Sequence, residues 1–436
     1  MGLIINIIAA IALFLIPIKR YSNKALRVAP HPFDKEKRIG INADLDFLIF
    51  SILTAMVFLG PLSLVKYAYW IIALIILCFN RFKLKMDSII LSYMLFIGWA
   101  LLSALFITAV PFAALMMLIK YTLPLLYLWL AYTAINDSDD FLYFLKIASV
   151  GMCVYALFIG GFAAKFLKPI YNFLNWGSGG LFISYAPLAD YFSALIVIPL
   201  ALFLITEKKI WLLAALWIIL STVLETVRTG LGALCIATSL LFLTIYKLKA
   251  LPWVAGILMV GIIIIFTVPA FRDKMFVNDD VSMETFSASQ ANFENISSNG
   301  REALWNLNMQ KFYEPSPLIG SGLGASGDFM KNREGLHLIH SDYVQILCDL
   351  GNIGIILFGI FVLVALIKII VTSWKSNCPN IVKLTGGMAL GSCGATFFSM
   401  GFDNVVTYAQ QSFVLPFIMI GIFLKTNDLY QNNEWR

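Results

Sequence analysis

Apolar segments long enough to cross a bilayer recur along almost the whole chain, and they constrain the fold more than any single motif does. A transmembrane α-helix needs roughly 20 predominantly apolar residues. Of the 436 residues, 60% are hydrophobic and 13% are charged, with a mean hydropathy of +0.85. Too few polar residues are left to cover a soluble globule. The sequence therefore predicts an all-α, polytopic transmembrane helical bundle of about 12–13 spans.

The predicted spans are separated by short connections, except for one long polar loop. They lie near residues 2–18, 46–64, 67–80, 88–109, 111–135, 141–164, 190–205, 210–224, 230–246, 251–269, 343–372, 384–402 and 409–424. The chain thus divides into three regions. Residues 1–269 hold N-terminal transmembrane helices, 270–342 form a long helical extracytoplasmic loop, and 343–436 hold C-terminal transmembrane helices and a cytoplasmic tail.

Basic residues collect in alternate connections and so predict the orientation. Segment 19–45 alone holds seven Lys and Arg residues. Because short, positively charged loops mark the cytoplasmic side, segment 165–189, the turn 225–229 and the loop 270–342 are all expected on the extracytoplasmic face. The net charge of +6 is then mostly a topology signal, and no basic patch with interleaved aromatic residues predicts nucleic-acid binding.

The long loop is the expected place of the chemistry, because loops of this length are usually functional or disordered. Arg301 heads an amphipathic stretch in which Trp305, Asn308 and Phe312 point within about 40° of its direction on an ideal helix. That stripe is expected on the outer membrane surface or against neighbouring helices. The glycine-rich run 320–324 predicts a flexible turn.

Three ordered elements carry a family resemblance. They are Thr226-Val227-Arg228-Thr229-Gly230, then Gly300-Arg301-x-x-Leu304-Trp305 followed by Pro317-Leu318-Ile319-Gly320-x-Gly322-x-Gly324, then His340-Ser341 with nine residues before Gly351-x-x-Gly354. Together they resemble the O-antigen polymerase and O-antigen ligase superfamily of bacterial membrane glycosyltransferases.

The resemblance implies an enzyme that takes a glycan linked through diphosphate to undecaprenol and joins it to a sugar hydroxyl, with neither metal nor cofactor. It implies His340, Arg301 and Arg228 as catalytic residues. It also implies substrate contacts from Arg228, Arg301, Trp305, Gly322 and His337. The implied location is the bacterial inner membrane, with the site on the periplasmic face.

The implied partners are the lipid-linked oligosaccharide donor, a glycan or lipid A-core acceptor, the bilayer and other membrane proteins of polysaccharide assembly. Ligases often carry Thr after the second glycine of the last element, where this chain has Ile355. That departure favours a polymerase of repeat units, whereas the spacing after His340 favours a ligase that uses lipid A-core. A secondary transporter is the remaining alternative, although transporters favour charged or broken helices near the midplane.

Structural explanations compete with each functional residue. Arg228 follows Glu225 by three positions and can form an ordinary helix-end ion pair. Arg301 can be a snorkelling interface residue, and His340 can cap the next helix. Lys120 and Lys146 fall inside predicted spans, where charges are functional candidates by default. Asp44-Leu45-Asp46 matches a metal-binding pattern, but it is expected at a cytoplasmic helix start, so no metal site is predicted.

Overall fold

The computed structural model describes residues 86–135, 137–176, 185–276, 301–332, 338–407 and 410–431. The predicted spans at 2–18, 46–64 and 67–80 lie outside these residues, as do Asp44-Leu45-Asp46, His337 and segment 277–300. Every regular element in the described residues is helical. The prediction of an all-α membrane protein is confirmed for this part of the chain.

The described helices follow one another with short connections. They are α1 Ser88–Phe106, α2 Pro111–Ala134, α3 Ser138–Phe158, α4 Gly161–Phe166, α5 Lys168–Trp176, α6 Tyr185–Leu195, α7 Val197–Thr206, α8 Lys209–Leu224, α9 Arg228–Tyr246, α10 Leu251–Thr267, α11 Pro269–Phe276, α12 Arg301–Asn308, α13 Ala325–Lys331, α14 Asp342–Ser373, α15 Asn380–Phe402 and α16 Gln410–Gln431.

Ten of the predicted spans fall within the described residues, and an apolar helix or helix pair covers each of them. Eight stretches are long and apolar enough to cross a membrane, and α8 is a shorter apolar helix. One of the eight, Arg228–Thr267, contains both α9 and α10, joined by the 3₁₀ turn Lys247–Ala250. Since Leu231 and Cys235 of α9 pack with Ile257 and Ile264 of α10, this stretch is two antiparallel spans, as predicted.

The bundle is organised around α15, which packs against α9, α16, α14 and α6. A second contact region joins α1, α2, α14 and α16 through large aromatic side chains. Tyr93 and Phe96 of α1 meet Phe358 and Phe361 of α14 there, and the Phe361 ring stacks on Phe417 with centroids 5.5 Å apart. These contacts fix the helices whose outer ends carry the candidate site.

The predicted span 343–372 is not one regular helix, because the backbone of α14 breaks at Gly351. Gly351 has φ 65° and ψ −165°, a conformation essentially restricted to glycine. The rings of Tyr343 and Phe358 are 6.2 Å apart, whereas a straight helix would separate these residues by about 22 Å along its axis. The chain therefore bends sharply between segment 342–350 and segment 352–373.

The glycine-rich turn fills this break, so the prediction of a flexible turn is wrong. Asn352 N–H donates to Pro317 O at 2.8 Å, and Ile353 N–H donates to Leu318 O at 3.2 Å. In return, Ser321 N–H donates to Cys348 O at 2.9 Å. The backbone groups freed by the bend are satisfied by the loop, because buried amides rarely stay unpaired.

Asp349 completes the attachment from the α14 side. One of its carboxylate oxygens accepts from Gly324 N–H at 3.0 Å, and the other accepts from Ser326 N–H at 2.9 Å and from Ser326 Oγ at 2.6 Å. The turn is therefore held by backbone and side-chain hydrogen bonds together. It positions the start of α13 against the first segment of α14.

Replacement of Gly351 by alanine should destabilise the protein by at least about 2–3 kcal/mol, because the new Cβ would occupy a glycine-only conformation. It would also lie 2.5 Å from Gly320 N and 2.5 Å from Leu318 O. Gly359→Ala on the same helix is the matched control. A Cβ at Gly359 meets nothing within 4 Å, so this change should be neutral or stabilising by up to about 1 kcal/mol. Thermal unfolding in detergent compares the two variants, and equal unfolding midpoints would contradict the account of the break.

Candidate active site

His340 lies at the outer end of the bundle in an unusual backbone conformation. Its φ is 59°, which non-glycine residues rarely adopt. Its main-chain N–H donates to Asn404 Oδ1 at 2.6 Å, which fixes the residue to the turn after α15. The helix that follows is capped by Ser341, whose Oγ accepts from Val344 N–H at 3.4 Å. Since Ser341 performs the capping, helix capping does not account for His340.

Asp403 is the side chain that faces the imidazole. Its Oδ1 is 3.3 Å from His340 Nδ1, and the His340 side chain is 35% exposed while that of Asp403 is 3% exposed. A carboxylate in this position holds the ring and favours the tautomer with the proton on Nδ1. His340 Nε2 is then the nitrogen that can accept a proton from a substrate.

The turn 403–407 is attached to the start of α14 by several further hydrogen bonds. Asp342 Oδ2 accepts from Val406 N–H at 3.1 Å, and Asn404 Nδ2 donates to Gln345 Oε1 at 3.2 Å. These side chains are buried. The His340–Asp403 pair therefore sits on a polar network that joins α14 to the outer end of α15.

Arg228 begins α9, and its structural explanation as a partner of Glu225 is not supported. Glu225 is directed elsewhere, because its Oε1 accepts from Gly161 N–H at 3.4 Å. Its Oε2 has no hydrogen-bond partner within the described part of the chain. Burial raises the pKa of the Glu225 carboxyl well above its usual range, more than the Gly161 bond lowers it. A carboxyl that stays protonated is a poor ion-pair partner for an arginine.

Arg301 begins α12 as predicted, and the helix places it beside His340. Trp305, one turn further along, donates from Nε1 to Ile339 O at 3.0 Å. Residues four apart share a helix face, so Arg301 lies on the same side of α12 as this contact. The predicted stripe thus faces protein here, and it ends after one turn because Met309–Tyr313 forms a π-helical turn that shifts Phe312.

Arg228 and Arg301 are close enough for their charges to interact, although they are 73 positions apart in the chain. Both side chains are half-buried. Two like charges held together in this way favour an anionic ligand between or beside them, since a bound anion relieves their repulsion. The guanidinium fork also suits phosphate oxygens geometrically.

Asp190 of α6 connects the two halves of the site. Its carboxyl group is buried, and its Oδ1 accepts from Ser399 Oγ at 2.7 Å. It interacts electrostatically with both Asp403 and Arg301. The His340–Asp403 pair and Arg301 therefore surround one buried carboxyl group and belong to a single cluster.

Sequence reasoning missed both Asp190 and Asp403. Each lies at the outer end of a predicted span, and that position on the predicted extracytoplasmic face is the signal that could have identified them. Neither belongs to a local motif with His340 or the arginines. Asp403 is 63 positions from His340, so only packing brings the two together.

The remaining predicted residues have different surroundings. Gly322 is buried at φ 100°, and a Cβ there would overlap the backbone of Thr108, which explains the glycine by close packing. Its predicted substrate contact stays a prediction, and His337 lies outside the described residues. Lys120 donates from Nζ to Thr407 O at 2.8 Å, while Lys146 is exposed.

A bundle of apolar helices with a histidine–carboxylate pair and two neighbouring arginines at one end defines a polytopic membrane protein with an anion-binding catalytic cluster. Residues 212–359 match the family described as O-antigen ligase. This match confirms the resemblance to the O-antigen ligase and polymerase superfamily, a class of membrane enzymes in O-antigen and polysaccharide assembly. It covers Arg228, Arg301 and His340 and excludes Asp190 and Asp403. No curated protein matches the chain.

Proposed function

We propose that the protein is a membrane glycosyltransferase that moves a glycan from undecaprenyl diphosphate to a sugar hydroxyl on the outer face of the bacterial inner membrane. The observation that carries the proposal is the neighbourhood of Arg228 and Arg301 beside the His340–Asp403 pair. A diphosphate leaving group needs fixed positive charge, and an acceptor hydroxyl needs a base. The cluster offers both within one site.

The proposed reaction exchanges one bond at the anomeric carbon. The acceptor oxygen forms a bond to that carbon while the bond from the carbon to the diphosphate oxygen breaks. The hydroxyl proton passes to His340 Nε2, and the electron pair of the broken bond stays on undecaprenyl diphosphate. Arg228 and Arg301 stabilise the charge that grows on the diphosphate, because their guanidinium groups remain charged and can bind it with paired hydrogen bonds.

Asp403 acts in this scheme as a positioning residue. It holds His340 with Nδ1 protonated and stabilises the imidazolium that forms after proton transfer, the role that a buried carboxylate plays beside other catalytic histidines. Trp305 positions the segment before His340 through Ile339. Trp305, Gly322 and His337 are proposed to contribute to substrate binding, and no metal ion or cofactor is required.

Polymerisation of O-antigen or capsular or exopolysaccharide repeat units is the favoured activity, and ligation to lipid A-core is the second candidate. Ile355 in place of the threonine common in ligases supports the first. The spacing from His340 to the Gly351-x-x-Gly354 pair and the ligase description of the matching family support the second. A transporter is disfavoured, since the broken helix α14 is stabilised by an outer loop that carries the candidate site.

Deletion of the gene in its bacterial host should separate the two activities. Without a polymerase, cells still attach single repeat units to their surface acceptor but form no longer chains. Without a ligase, they attach none and accumulate lipid-linked polymer. Purified protein with a lipid-linked repeat unit as the sole substrate provides the matching test in vitro. A ladder of products supports polymerisation, whereas transfer only after addition of lipid A-core would replace it by ligation.

A further inference from the structure

Lys120 is a charged residue within a membrane-spanning helix, and the reaction chemistry described above leaves it without a role. It lies nine residues after the start of α2, about 14 Å along the helix axis. Charges at such positions are costly and rarely occur without a function. Its Nζ donates to Thr407 O at 2.8 Å, at the end of the turn that carries Asp403 and Asn404.

A continuous set of hydrogen bonds leads from Lys120 to His340. Thr407 Oγ1 donates to Gln345 Oε1 at 3.3 Å, and Gln345 Oε1 also accepts from Asn404 Nδ2 at 3.2 Å. Asn404 Oδ1 accepts from His340 N–H at 2.6 Å. Thr407 N–H in addition donates to Asn404 O at 3.2 Å, which closes the turn. Lys120 thus holds one end of the turn, and His340 is bonded to the other.

We propose that Lys120 is a positioning residue for His340, acting through turn 403–407. The inference rests on the proposed transferase function. His340 keeps its left-handed backbone conformation only if its surroundings determine it strongly, since such conformations are unfavourable for non-glycine residues. A charged donor on a backbone carbonyl forms a stronger bond than a neutral one and fixes the turn against α2. The orientation of Asp403 toward His340 Nδ1 then depends on a residue of α2, far from both of them in the chain.

Three variants test this role in purified, membrane-reconstituted enzyme. Lys120→Met removes the donor and keeps the length of the side chain. Lys120→Arg keeps a charged donor. Lys146→Met is the matched control, since Lys146 also lies within a predicted span but is exposed. Lys120→Met should lower kcat by about tenfold or more, the change expected when a charge-assisted hydrogen bond is lost, with KM for the lipid-linked donor changed less than about threefold. Lys120→Arg should recover most of the loss, and Lys146→Met should match the wild type.

Hydrogen exchange supplies a readout that does not depend on activity. In Lys120→Met, the amides of segments 338–342 and 403–407 should exchange about tenfold faster, while those of α9 and α10 stay unchanged. Unchanged exchange in both segments would overturn the proposal. So would a rise in KM with unchanged kcat, because Lys120 would then contact the donor directly. If wild-type protein transferred no glycan, the proposed function would fail, and the exchange result alone would still decide whether Lys120 holds the turn.

Discussion

His340→Ala should lower glycan transfer by at least about 10²-fold, the usual contribution of a general base, while the protein stays folded. The fold should survive because the imidazole is partly exposed and its neighbour Asn404 binds the main-chain N–H, which alanine retains. Turnover measured on purified protein, with thermal unfolding as the check on folding, separates the two effects.

The histidine outside the long loop, His31, provides a matched control for this variant. His31 lies in the segment predicted to be cytoplasmic, so His31→Ala should retain wild-type turnover. Asp403→Asn should also lower turnover, because an amide no longer selects the tautomer with Nδ1 protonated. Addition of Asp403→Asn to His340→Ala should cause little further loss. If His340→Ala kept more than about a tenth of the wild-type turnover, the assignment of the base would be wrong.

Arg228→Ala and Arg301→Ala should each lower transfer by about 10²–10³-fold, and the double variant should lose less than the product of the two factors. Both guanidinium groups are proposed to bind one diphosphate, so the second arginine contacts a group already displaced by loss of the first. Lysine at either position should restore activity only in part, because it keeps the charge and loses the paired hydrogen bonds. Transfer assays on the four members of the cycle measure the coupling.

Lys331→Ala serves as the charge control for this cycle. Lys331 is an exposed cation on α13 of the same loop, so its loss changes the net charge of the loop without touching the cluster. It should leave transfer within about threefold of wild type, as expected for a screened surface charge. A chelator should not abolish transfer by the wild type. Independent effects of the two arginines, together with loss of activity in chelator, would place the diphosphate elsewhere and indicate a metal-dependent mechanism.

The helix starts at the candidate site were predictable because their causes are local. Arg301 begins α12 and Ser341 caps α14 as the sequence indicates, since capping and amphipathic periodicity depend on residues within a few positions of one another. The described spans were predictable for the same reason, because hydrophobic length alone determines which segments can cross a bilayer.

The glycine pattern shows where local reasoning fails. The run 320–324 and Gly351 were recognised as separate motif elements, and the first was interpreted as a flexible turn. In the structure each explains the other, because the turn supplies the hydrogen bonds that the break in α14 requires. A pattern of glycines shows that unusual backbone conformations are needed, but it does not show which segment they accommodate.

Patterns in the chain were enough to predict the class of fold, the orientation of the loops, and three residues with the right chemistry in Arg228, Arg301 and His340. The packed bundle was needed to identify Asp403 as the partner of His340 and Asp190 as the buried carboxyl between the two halves of the site. These residues come from helices far apart in the chain. Their contacts depend on how α6, α14 and α15 pack, and packing is a property of the assembled bundle that no local pattern encodes.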